Sequence, residues 1–66
     1  MYLLEHKNGG YFQTSYSSEN GAGLHTTNDP KKAKWYDTWE GADQEREDVL
    51  VGTFYERLDH WDIVKG

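Results

Sequence analysis

Apolar positions along this chain fall in short clusters separated by polar, glycine-bearing stretches, a pattern of small strands and tight turns. Tyr2 to Leu4 form an apolar run bounded by Lys7-Asn8-Gly9-Gly10, and Tyr11-Phe12-Gln13-Thr14 reads as a second short strand. Asn-Gly between two such runs predicts a β-hairpin, because both residues tolerate positive φ. Ser15 to Gly23 is polar and glycine-rich, which predicts a loop and, as the largest insertion in the chain, a candidate contact surface. Leu24 to Thr27 reads as a third short strand returning to the hairpin.

The pattern then turns helical. Asp29 followed by Pro30 is a helix-start signal, opening a turn that places Trp35 and Tyr36 beyond it. Thr38 is a second N-cap, with Glu40 in the first turn. Leu50, Val51, Phe54, Tyr55 and Leu58 are spaced as one helical face, which favours a helix continuing to about Leu58. The competing reading ends the helix near Gly52 and makes Thr53 to Leu58 a strand, with poor alternation of apolar and polar positions. Gly52 inside a helix costs about 1 kcal/mol relative to Ala but sits off the apolar face. Asp59-His60 breaks the pattern, and Trp61 to Lys65 predicts a closing strand with Trp61 and Ile63 on one face, paired beside the first strand. The order β-β-(β)-α-β defines an α+β fold: a small antiparallel sheet with one helix packed on one face, as a single domain over residues 1–66.

Composition changes this picture in two ways. A chain of 66 residues buries only about 60% of the surface that its unfolded form exposes, and with no cysteine it has neither disulfides nor thiolate metal ligands to reinforce a thin core. Hydrophobic content of 35% and mean hydropathy of −1.03 would suggest disorder in an aliphatic chain, but 15% of residues are aromatic, and each ring can bury roughly 150–250 Å². The core is therefore expected to be built on rings. The start of the chain has no basic n-region and an apolar run of three residues, so neither a signal peptide nor a membrane span is expected. An initiator Met leading directly into patterned sequence gives the expectation of a complete small cytosolic protein.

The stretch Thr26-Thr27-Asn28-Asp29-Pro30-Lys31-Lys32-Ala33-Lys34-Trp35-Tyr36-Asp37-Thr38-Trp39-Glu40-Gly41-Ala42 resembles a pattern in small proteins of Gram-positive bacteriophages and prophages. There a threonine-rich strand end leads to Asp-Pro-x-x-Ala-x-aromatic, a Ser/Thr-capped helix and a short closing strand. The Gly9-Gly10-Tyr11 start fits as well, while the Glu45-Arg46-Glu47-Asp48 run and Gly52 depart from the alanine- and lysine-rich helix of that pattern. The resemblance implies phage origin and a small accessory role, with no chemistry attached.

The chemistry-bearing residues are few. Ser15, Ser17 and Ser18 could be drawn into a triad with a histidine and an aspartate, but no G-x-S-x-G elbow, P-loop or G-x-G-x-x-G fingerprint is present, and no catalytic residue is expected. His6, His25 and His60 are the available nitrogen ligands. A divalent site could be assembled from His25, His60 and a carboxylate, yet no pair has a ligand spacing such as His-x3-His, so neither metal nor cofactor is expected. Charge is more informative. Glu40, Asp43, Glu45, Glu47 and Asp48 oppose only Arg46, a net −4 over nine residues, while the other 57 residues are net −1. This acidic segment is either a solvated helix exterior, as the helix dipole favours, or a face that mimics a phosphate backbone or steers toward a basic partner. A pI near 4.9 argues against direct binding to nucleic acid or anionic membrane.

Trp35, Tyr36, Trp39, Phe54, Tyr55 and Trp61 exceed what a one-helix core needs to bury. The surplus marks an interface. The sequence thus points to a non-catalytic binding protein that inhibits or regulates a host or phage protein, with Trp35, Trp39, Glu40, Asp43, Glu47 and Tyr55 as contact residues. An acidic nucleic-acid mimic and a homo-oligomeric accessory protein, in the simplest case a homodimer, are the alternatives.

Overall fold

The computed structural model describes the backbone of residues 1–66 and the side chain of every residue except Ser17. Strands β1 (Tyr2–His6), β2 (Tyr11–Ser18), β3 (Gly21–Thr27) and β4 (Trp61–Lys65) form one antiparallel sheet in the order β3-β2-β1-β4. Helix α1 (Trp39–Glu45) packs against β1 and β4. The α+β class and the single covering helix follow the sequence pattern.

β1 is an inner strand, which explains why the adjacent Leu3 and Leu4 are both buried on its opposite faces. It pairs with β4 along its length, from Tyr2↔Lys65 to His6↔Trp61. With β2 it shares a single register pair, Glu5↔Tyr11. The turn between them closes with His6 N–H donating to Gly10 O at 2.9 Å and Gly9 N–H to His6 O at 2.9 Å. Gly9 and Gly10 take the positive φ values, 98° and 91°, so the strained step lies one residue beyond the expected Asn8-Gly9 pair.

Past Tyr11 the second strand bends at a bulge between Phe12 and Thr14, and another segment bridges the opening. Lys34 N–H donates to Phe12 O at 3.0 Å, and Tyr2 and Tyr36 exchange both backbone hydrogen bonds at 2.8 Å. This pairing is why Asp29-Pro30 opens one turn and no helix. Lys31 N–H donates to Asp29 Oδ1 and Lys32 N–H to Asp29 O, both at 2.9 Å, after which the chain extends to reach β1 and β2.

The expected loop over residues 15–23 is instead a hairpin arm. Pairing runs from Ser15↔Leu24 through Tyr16↔Gly23 to Ser18↔Gly21, leaving Glu19 and Asn20 as a two-residue turn. Serine and glycine suggested a loop by local propensity, but the backbone ladder and an aromatic cover override it. The Tyr16 ring lies where a Cβ at Gly23 would stand, and its centroid is 5.2 Å from that of His25.

The helix also departs from expectation. Thr38 caps it as predicted, its Oγ1 accepting from Gly41 N–H at 3.0 Å. After Glu45, however, the chain widens into a π-helical stretch, Arg46–Val51. Gly52 N–H donates to Glu47 O at 2.9 Å and Phe54 N–H to Val49 O at 3.1 Å, both across five residues. Helical bonding stops at Tyr55, whose φ of 57° is left-handed and whose N–H donates to Val51 O at 3.1 Å. The continuation to Leu58 is therefore not formed. Leu58–His60 makes a separate 3-10 turn, and residues 53–58 are not a strand either. Leu50, within the π-helical stretch, is buried in the core, while Leu58, beyond the helix end, is exposed.

Leu4, Phe12, Tyr36, Ala42, Leu50 and Trp61 form the core between helix and sheet, with Tyr2, Leu24 and Ile63 at its margin. Trp61 meets Phe12 edge to face at 6.1 Å. Leu3, 3% exposed, points to the other face, where Trp35 and Gly66 stand against it. Gly66 N–H donates to Met1 O at 3.0 Å, so the termini meet as the strand order requires.

Candidate partner-binding surface

The acidic segment is only partly free. Arg46 donates to Asp43 Oδ1 at 2.7 Å and to Trp61 O at 3.0 Å, tying the helix to β4. Lys34 Nζ lies 2.6 Å from Glu45 Oε1 and stands over the Tyr36 ring. Glu40, Glu47 and Asp48 are exposed, with Gln44 Nε2 donating to Asp48 Oδ2 at 3.3 Å. The local −4 is therefore divided between a paired inner row and an outward row of carboxylates.

The candidate aromatics do not gather in one patch. Trp35, 36% exposed, anchors its Nε1–H on Pro30 O at 3.1 Å and lies against Leu3 on the sheet face turned away from the helix. Trp39, 45% exposed, opens the helix beside Glu40. Tyr55 ends the same helical segment, on the order of 20 Å further along at about 1.5 Å per residue. The structure separates these three rings.

The helix C-terminus is the most unusual part of this surface. Tyr55 is 89% exposed and holds φ 57°, a conformation that costs a bulky side chain roughly 1–2 kcal/mol over glycine. Exposed Leu58 lies just beyond it, and Glu47 and Asp48 lie on the preceding turns. Arg57 Nε donates to Asp59 Oδ1 at 3.2 Å. Slight desolvation works to raise the pKa of Asp59, but the hydrogen bond and charge of Arg57, with His60 and Lys7, outweigh it and hold the carboxyl below its usual range.

Behind this loop lies a constellation that sequence spacing did not suggest. Among the described residues, His6, Glu56 and His60 bring one ligand-type atom each to within 4.8 Å of the others. His60 Nδ1 is 2.8 Å from Glu56 Oε2, and the two imidazole centroids are 5.9 Å apart. Pairing of β1 with β4 places His6 opposite Trp61, the neighbour of His60, and Lys7 N–H donates to His60 O at 2.8 Å. The expected pairing of the closing strand beside the first was the signal that could have found it, once its register was known. His25, the partner considered from sequence, lies on the hairpin arm beside Tyr16 instead.

The class is an α+β fold of one four-stranded antiparallel sheet and one helix. No protein-family model, curated protein or solved structure matches this chain. Among the described residues, no helix is long and apolar enough to cross a membrane.

Proposed function

We propose that this chain is a small non-catalytic binding protein that inhibits or regulates a protein partner through the surface at the end of its helix. The observation that carries the reading is Tyr55, a bulky ring held in the left-handed region and turned into solvent. The left-handed turn itself closes the helix, with Tyr55 N–H donating to Val51 O at 3.1 Å and Glu56 N–H to Leu50 O at 2.9 Å, but glycine would make this cap without strain, and the ring placed there is 89% exposed. Leu58, three residues on, is exposed as well, and Glu47 and Asp48 are exposed carboxylates of the same helical segment, so the end of the helix offers apolar and acidic groups to a partner. The resemblance of Thr26 to Ala42 to small phage proteins supports a phage-encoded accessory role, with a host or phage protein as the partner proposed. Ion pairing of Asp43 and Glu45 weighs against the acidic nucleic-acid mimic, because it shortens the row of free carboxylates.

The test is affinity capture from host lysate by the native chain and by Tyr55→Gly, which removes the ring and relieves the backbone. A partner held by the native chain and lost from the folded variant supports the reading. Equal capture by both, or capture abolished by moderate salt alone, overturns it.

Self-association is a second reading with its own observation. β3 is an edge strand of seven residues with no acidic or basic side chain except His25, and such edges invite pairing between copies. A concentration-independent monomer mass by light scattering would remove it.

A further inference from the structure

We propose that His6, Glu56 and His60 form a binding site for a divalent transition-metal ion of the zinc type. The three side chains are half-buried, two imidazoles and one carboxylate, and their nearest ligand-type atoms all lie within 4.8 Å of one another. Imidazole nitrogen with a single carboxylate oxygen is a donor set suited to zinc and its neighbours and poorly suited to magnesium or calcium, which take oxygen ligands.

The hydrogen bonds around the trio show how an ion would enter. Glu56 Oε2, at 2.8 Å, requires a proton on His60 Nδ1, and that proton excludes the same nitrogen from accepting the longer 3.4 Å approach of Arg57 N–H. A cation bridging Nδ1 and Oε2 takes the place of this proton, and the neutral ring then carries its single proton on Nε2. His6 Nδ1 accepts from Asn8 N–H at 3.1 Å, which leaves Nε2 as its free ligand atom, and the ring packs edge to face with Trp61, centroids 4.9 Å apart. Ligand atoms about 2.1 Å from a tetrahedral ion stand roughly 3.4 Å apart. The Glu56–His60 contact therefore opens by a few tenths of an ångström, and the His6 ring closes by up to about 1.4 Å, movements within reach of side-chain rotation.

The backbone supplies the rigidity that such a site needs. His6 ends an inner strand, and His60 is held to the next residue of that chain segment through the Lys7 N–H bond. Glu56 comes from the extended segment between the helix end and the 3-10 turn, so an occupied site joins this segment to the sheet. Three protein ligands leave a fourth position for water or for a group brought by another molecule. The site stands independently of the partner-binding reading, since neither Tyr55 nor Leu58 contributes a ligand.

Titration of the full chain with zinc chloride, followed by calorimetry and by the imidazole resonances, tests the proposal. One ion per chain is expected, with the His6 and His60 ring signals shifting and His25 unmoved. Glu56→Gln and His60→Gln, each verified as folded by circular dichroism, should weaken binding at least about tenfold, and His25→Gln should leave it unchanged. Because the ring signals of the native chain report the ligands directly, a variant that fails to fold does not leave the question open. No ring shift up to millimolar zinc, a shift confined to His25, or undiminished affinity in folded Glu56→Gln and His60→Gln overturns it.

Discussion

Trp35 lies against Leu3 on the face of the sheet turned away from the helix, with Gly66 beside both. Strand alternation sends Leu4 into the main core, so Leu3 must bury itself on the other side, and Trp35 is what covers it. An exposed fraction of 36% thus belongs to a ring that is packed on one side.

Trp35→Ala is expected to destabilise the fold by about 1–3 kcal/mol, less than a fully buried tryptophan because one side of the ring already meets water. Urea unfolding followed by circular dichroism measures it. A midpoint equal to that of the native chain would show that Leu3 does not depend on this cover.

Tyr36 presents a different situation. Its hydroxyl is buried without a hydrogen bond of good geometry among the described residues, the Glu45 carboxylate standing nearby. Burial, with the nearby Glu45 carboxylate adding to it, pushes its pKa well above the ordinary value near 10. In the unfolded chain the group ionises near pH 10, while in the fold it stays neutral to higher pH. The unfolded state therefore binds fewer protons above that point, and stability falls as pH rises beyond 10 while remaining flat below it. Tyr36→Phe should remove this alkaline decline and, by deleting an unpaired buried hydroxyl, leave stability at pH 7 unchanged or raised by about 1 kcal/mol. Thermal unfolding from pH 7 to 11 compares the two chains.

Gly52 reverses the usual helix rule. Replacement of glycine by alanine in a helix ordinarily gains about 1 kcal/mol, and Gly52 has helical φ and ψ of −69° and −39°. The π-helical turn, however, brings Asp48 O to 2.7 Å from the position of its Cβ. Gly52→Ala is expected to destabilise by about 1–2 kcal/mol, since the obstructing atom is backbone and cannot move aside cheaply. A gain in the denaturation midpoint would instead indicate a regular α-helix over residues 46–52.

Tyr55→Gly should stabilise the chain by about 1 kcal/mol, raising the unfolding temperature by roughly 4–8 °C for a domain of this size. Differential scanning calorimetry measures the change. Combined with loss of partner capture, it would place Tyr55 among residues kept for contact at a cost in stability.

What the sequence by itself determined were the features that depend on near neighbours. Thr38 caps α1 because a hydroxyl three residues before a free N–H needs no tertiary help. The closing strand with Trp61 and Ile63 on one face and the four-strand-plus-helix class follow from periodicity and residue type, whereas the core is less ring-built than composition suggested, with Leu4, Ala42 and Leu50 beside Phe12, Tyr36 and Trp61. Only tertiary structure decided the rest. Tyr16 covering Gly23 turned an apparent loop into a paired arm, since cross-strand packing does not appear in local propensity. The left-handed turn at Tyr55 ended the helix before Leu58, which lies in a separate 3-10 turn and is exposed, off the face that its spacing predicted. The separation of Trp35, Trp39 and Tyr55 followed from their places on a sheet face and at two ends of one helical segment. His6, Glu56 and His60 meet because antiparallel pairing folds residue 6 onto residue 61, a closeness set by register across more than fifty residues of chain.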